Sequence, residues 1–172
     1  MIDNLICLGG VHGVGKSTFC TNLVNLNSQI EYISASRVIN AQNKNSKIVN
    51  NINANQILLI EGLKSIQSDS KASILDSHFT LLSGNNSIEE IPLIFFEQIN
   101  PKSIVVLYDN PSRIKHKWEI RDQIKIDLDF IIDFQNKEVN YSQQVANSLR
   151  INFLKLDIND THALNKLIDF VI

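Results

Sequence analysis

Between Gly10 and Ser17 the chain reads Gly-Val-His-Gly-Val-Gly-Lys-Ser, a complete G-x-x-x-x-G-K-[S/T] loop that Thr18 extends. Such a loop works only where a buried strand feeds it and a helix leaves it, so it constrains the fold more than any other feature here. Both flanks are present. Leu5-Ile6-Cys7-Leu8 is a short apolar run ending in Gly9, and Phe19, Leu23 and Leu26 follow at helical spacing. Gly10, Gly13 and Gly15 let backbone N–H groups, that of Val14 among them, close around a polyphosphate, while the positive end of the new helix points at the same anions. His12 shapes the loop and faces the acceptor side. Lys16 is placed to reach the outer phosphates and the Ser17 hydroxyl to hold Mg²⁺, with Thr18 beside it, which predicts a site for ATP and Mg²⁺. Of six glycines, four lie between Gly9 and Gly15, so the chain concentrates its conformational freedom at this loop.

Downstream, apolar patterning predicts strands at 30–34, 72–76, 103–108 and 151–156, the third of these continuous and β-branched like a central parallel strand. Helices are expected between them: one capped by Ser36 and containing Val38 and Ile39, one over 93–98 after Pro92, one starting at Pro111, a long one over 127–149, and a closing one over 161–172. The long helix has Phe130, Ile131, Phe134, Val145 and Leu149 as candidates for its buried side. Residues 40–55 are polar and broken, with apolar side chains at Ile48, Val49 and Ile52, and read as helical pieces. The stretch 56–66 fits either a strand ending at Glu61 or a helix over 55–67 with Ile52, Leu59, Leu63 and Ile66 on one face. The helix is preferred because it leaves strand–helix alternation intact. The expectation is therefore a single α/β domain, 1–172: the P-loop NTPase fold, with a parallel five-stranded sheet and helices on both faces.

At 172 residues the chain can bury one sizeable core. Its net charge of −2 leaves no electrostatic footprint for nucleic acid. No apolar stretch approaches bilayer length, no signal peptide is evident, and Cys7 and Cys20 read as buried thiols, so a cytoplasmic location is expected.

Ligands of such sheets bind beyond the carboxyl ends of the strands. Asp76, at the end of the 72–76 strand, is the carboxylate expected near Mg²⁺ and the attacking group, with Glu61 as runner-up. His78 is placed either to touch substrate or to fill a crowded loop, and Arg37 to meet an incoming anion. Lys117 and Arg121, with Arg113 and Lys115, lie on one helix. Arg121-Asp122 is the pair singled out there for neutralising a transferring phosphoryl group. Asp109 is expected to cap the helix at Pro111.

Together, Gly10–Thr18, Ile-Leu-Asp-Ser-His (74–78), Ile91-Pro92, Asn100-Pro101, Asp109-Asn110-Pro111, Arg121-Asp122 and Phe134-Gln135 resemble the nucleoside monophosphate kinases, most closely the archaeal-type adenylate kinases and related bacterial P-loop ATP-binding proteins. The resemblance implies that Lys16, Ser17 and Thr18 hold ATP–Mg²⁺, that Arg37 and the helices over about 36–70 hold the acceptor, and that Arg121 belongs to a short lid over about 117–127. Asp76 and His78 match the family's Asp-Thr-His segment. The sequence departs from the family where Lys117 and Lys125 stand in an arginine-rich lid, since lysine lacks arginine's bidentate grip.

Three functions follow as expectations. The first is phosphoryl transfer from ATP to a nucleoside monophosphate, with Lys16, Asp76 and Arg121 catalytic and Arg37, His78 and Lys117 on the substrate. The second is transfer to an alcohol, a small metabolite or an RNA end, in which Asp76 takes the hydroxyl proton. The third is a regulatory ATPase whose nucleotide switches a partner contact.

Overall fold

The computed structural model describes residues 2–43, 52–83 and 87–172. Five strands, β1 (Leu5–Gly9), β2 (Ile30–Ser34), β3 (Ala72–Asp76), β6 (Ser103–Tyr108) and β7 (Asn152–Asp157), form one parallel sheet in the order β2-β3-β1-β6-β7. Central β1 and β3 are buried at every position, while the edge strand β7 is exposed or partly exposed at every position but Leu156. That difference reflects helices covering both faces of the middle of the sheet.

Seven helices connect the strands among the described residues: α1 (Lys16–Leu26), α2 (Ala35–Asn43), α3 (Ile52–Ser65), α4 (Leu93–Ile99), α5 (Pro111–Asp122), α6 (Leu128–Leu149) and α7 (Ala163–Val171). Alternate β1 side chains feed two cores. Ile6 and Leu8 join Phe19 and Leu23 of α1 and Leu167 of α7, whereas Leu5 and Cys7 join Leu59 and Leu63 of α3 and Phe95 and Phe96 of α4. α6 serves both, with Ile131 and Phe134 in the first core and Val145 and Ala146 in the second. No helix among the described residues is long and apolar enough to cross a membrane.

The helical reading of 55–67 holds, and α3 begins slightly earlier, at Ile52. Ile48 and Val49 lie outside the described residues. Three expectations change. Ser36 is not a cap: α2 follows β2 directly, so Ser36 sits inside its first turn and its hydroxyl lies 3.0 Å from that of Ser34. Phe130 and Leu149 are only partly buried. A two-stranded antiparallel ribbon, β4 (Thr80–Leu82) with β5 (Ile88–Glu90), stands off the end of β3 and was not anticipated.

Register fixes what meets at the sheet's carboxyl edge. Asp76 lies opposite Leu8 on one side and Ser34 on the other, and Gly9 lies opposite Val106. The end of β3 is therefore held directly between the start of the glycine loop and the start of α2.

Candidate phosphoryl-transfer site

The loop adopts backbone angles that only glycine takes without strain. Gly10, Gly13 and Gly15 have φ of 143°, 82° and 111°. At Gly13 a Cβ would also come 3.1 Å from the Ile114 carbonyl oxygen and 3.2 Å from Trp118 Cβ, so α5 packs directly on the loop. Gly15 ends the loop and α1 begins at Lys16. Lys16 is buried, and its Nζ donates to the Gly10 carbonyl at 2.5 Å while lying 3.5 Å from both ring nitrogens of His78. Burial lowers its pKa, and the carboxylates of Asp76 and Glu138 oppose that shift.

Asp76 is the last residue of β3. Its Oδ2 accepts from Ser17 Oγ at 3.0 Å and from the Tyr32 hydroxyl at 3.1 Å. A hydroxyl beside a carboxylate is a hard oxygen donor set, suited to an ion that keeps its own waters and leans on substrate phosphates. Among the described residues there is no cluster of three or more His, Cys, Asp or Glu side chains able to hold a metal. Ser17 and Asp76 together fit a hard cation such as Mg²⁺ that is held in part by substrate phosphates. Glu61 is exposed on α3 and is not among the residues lining the cavity over the loop.

A cavity of about 640 Å³ opens over the loop. Lys16, Ser17, Asp76 and His78 line its floor, Lys117 and Arg121 reach it from α5, and Ser34, Ser36, Gln56, Leu59 and Phe95 form its other wall. The rings of His12 and His78 lie 4.4 Å apart. Burial, then the Lys16 charge, lowers both: His12 to about 4, His78 well below its ordinary value. Both are therefore neutral at pH 7 and add no positive charge. Arg121 bonds Asp122 through Nε and Nη2 at 2.6 and 2.7 Å. The structure does not bring Arg37 to this cavity. It is exposed on α2, while its neighbours Ser36 and Ile39 line the wall.

Asp109 is not the cap at Pro111. Asn110 performs that task, its side chain accepting from the Ser112 N–H at 2.9 Å. Asp109 is buried and instead gathers Lys117 at 2.8 Å, Arg113 at 2.9 Å and Asn159 at 2.7 Å. Burial raises its pKa, but the bonds from Lys117, Asn159 and the Asn110 N–H outweigh that and hold it below the usual carboxylate value. Lys117 is thereby held between two hollows. The second, of about 420 Å³, lies across the loop from the first and is lined by Gly15, Thr18, Asn22, Asn159, Asp160 and Leu164 among others.

Sequence reasoning missed Glu138. Its buried carboxylate accepts from the N–H of Gly10 at 2.9 Å, of Phe79 at 3.0 Å and of Thr80 at 2.6 Å, and from the Thr80 hydroxyl at 2.5 Å. One side chain of α6 thus ties the first turn of the glycine loop to the segment carrying His78. The available signal was polar residues on a buried helical stripe: Gln135, Glu138 and Ser142 recur with Ile131, Phe134 and Val145 on the inward face.

Two solved structures share the architecture. A shikimate kinase from Bacteroides thetaiotaomicron superposes with a TM-score of 0.59 at 14% identity, covering 97% of this chain and 95% of its own. A gluconokinase from Sinorhizobium meliloti 1021 does so with a TM-score of 0.55 at 12% identity, covering 98% and 93%. At such identities the likeness concerns the fold. No curated protein matches the sequence. The family model described as AAA domain matches residues 9–129, from the start of the glycine loop into α6 and well over half of the chain, so the protein belongs to the AAA domain family.

Proposed function

We propose that this protein is an ATP-dependent kinase that phosphorylates a hydroxyl group of a small molecule. The observation that carries the reading is Asp76, a carboxylate on the cavity floor 3.0 Å from the loop's Ser17 hydroxyl, beside the buried Lys16. An alcohol must lose a proton as it attacks, and Asp76 is the acidic side chain on that cavity among the described residues. The two structural neighbours, by name a gluconokinase and a shikimate kinase, support an alcohol acceptor by analogy of fold.

When bound, ATP–Mg²⁺ would supply the activated phosphoryl group, and Ser17 and Asp76 would be the side chains that hold the metal. The Gly10–Thr18 backbone would hold the phosphates, and the second hollow, between Thr18 and Asn159, would take the nucleoside end. Asp76 accepts the hydroxyl proton as the acceptor oxygen bonds the γ-phosphorus and the bridging oxygen leaves with ADP. Lys16, Lys117 and Arg121 neutralise charge on the transferring group, the last two from the 117–127 lid segment. His78 borders the acceptor.

Transfer to a nucleoside monophosphate is the second reading, favoured by Lys117 and Arg121 on the cavity. Asp76→Asn separates the two. An alcohol acceptor requires the base, so kcat should fall about 100-fold or more while the KM for ATP changes far less. A monophosphate is already a charged nucleophile, and its transfer would depend less on that carboxylate. An unchanged kcat with an alcohol acceptor would remove Asp76 from the role.

A further inference from the structure

Among the residues lining the same cavity, three carry a buried polar atom without a hydrogen-bond partner: Gln56 Oε1, Asn55 Oδ1 and Ser77 Oγ. Gln56 is 8% exposed and Ser77 6% exposed, so solvent does little to satisfy either. Unpartnered groups of this kind are rare inside folded proteins and mark places where something else completes the bonding. The three residues line the hollow, from α3 and just past the end of β3, together with the apolar side chains of Leu59, Leu81, Ile91 and Phe95, while the unpartnered atoms themselves lie just beneath its surface. The wall therefore combines neutral hydrogen-bonding groups with an apolar surface.

Charge is distributed the other way. The cations on this cavity among the described residues, Lys16, Lys117 and Arg121, belong to the loop, α1 and α5, where the phosphates would lie. His12 and His78 are held neutral. Side-chain amides and a hydroxyl recognise uncharged donors and acceptors well. They cannot give a carboxylate or phosphate the charge-assisted, bidentate grip that arginine gives.

From this arrangement, and resting on the kinase reading above, we infer that Asn55, Gln56 and Ser77 form the acceptor-recognition wall, and that the acceptor is an uncharged alcohol with an apolar face, rather than a sugar acid or a phosphorylated molecule. The reacting hydroxyl points to Asp76, and the side-chain amides of Gln56 and Asn55 turn outward to bond a hydroxyl or amide elsewhere on the molecule.

The test compares matched acceptors that differ in charge: sorbitol with gluconate, methyl shikimate with shikimate, and nucleosides with their monophosphates, each with ATP and Mg²⁺. Uncharged members are expected to show kcat/KM at least tenfold above their charged counterparts. Gln56→Leu should raise the KM for the favoured acceptor roughly tenfold, leaving the KM for ATP and the melting temperature near wild type. Gln56→Arg should shift preference towards the charged member. Preference of the wild-type protein for charged acceptors overturns the inference and leaves the kinase reading standing. So does a Gln56→Leu variant whose acceptor KM is unchanged, or whose ATP KM and stability change along with it. Absence of transfer to every acceptor overturns the kinase reading and this inference with it.

Discussion

Replacing Glu138 by glutamine preserves shape and tests whether its carboxylate holds the glycine loop in place. One carboxylate oxygen accepts from the N–H groups of Gly10 and Phe79, and the other from Phe79, Thr80 and the Thr80 hydroxyl. A glutamine must put its NH₂ at one of these positions. Facing Gly10, it leaves that buried N–H without an acceptor. Facing Thr80, it orphans the Thr80 N–H, although the Thr80 hydroxyl can turn to accept. Either way one backbone donor goes unsatisfied, at about 1–3 kcal/mol, and the remaining bonds lose the assistance of charge. Relief of the buried charge offsets part of this. The net expectation is a loss of roughly 2 kcal/mol, or a fall in melting temperature of roughly 4–8 °C for a domain of this size. Because Gly10 opens the loop and residues 79–80 follow His78, the KM for ATP should rise as well. Urea unfolding and initial rates on the same preparation provide both numbers. A Glu138→Gln protein within 0.5 kcal/mol of wild type, with unchanged KM, would refute the reasoning.

Three other expectations follow. His12 has a pKa of about 4 in the folded protein against the ordinary 6.5, so between those values the unfolded chain binds a proton that the folded one does not. Its contribution to stability is therefore complete above about pH 6.5 and lost as pH falls towards 4, and His12→Gln should flatten the decline in melting temperature across that window. Arg150 ends α6 in the left-handed region at φ 55°, so Arg150→Gly should stabilise the protein by about 1 kcal/mol in urea unfolding. Asp109→Asn frees Lys117 and Arg113 from their anchor and should raise the KM for ATP several-fold, roughly three- to tenfold, with no comparable change in the acceptor KM. Equal changes in both constants would count against Asp109 as an organiser of the nucleotide side.

The parts of this fold that the sequence announces are those whose signal is local. The glycine loop carries its conformation in three glycines, and the sheet strands are apolar runs, or mixed ones at the edges β2 and β7, bounded by turn or helix signals. The choice of helix for 55–67 came from alternation along the chain rather than from the segment's own pattern, which was ambiguous. The β4–β5 ribbon has strands of only three residues, too short to establish a period of two. Asp76 was legible because position at a strand's carboxyl end is a topological rule. Glu138 was not, since its partner Gly10 lies 128 residues away and only folding brings them together. Arg37 shows the converse: its sequence position is right, but α2 starts at once after β2 and the helical turn sends the side chain outwards while Ile39 turns in.

The most direct measurement is phosphorus NMR of ATP and Mg²⁺ incubated with the protein and a panel of uncharged alcohols, alongside a no-acceptor control and the Lys16→Ala variant. The account predicts ADP and a new phosphate-ester resonance in equal amounts with at least one alcohol, little ADP without acceptor, and neither product from Lys16→Ala. ADP and inorganic phosphate forming at the same rate with and without every acceptor would contradict it, and would make this chain a nucleotide hydrolase rather than a kinase.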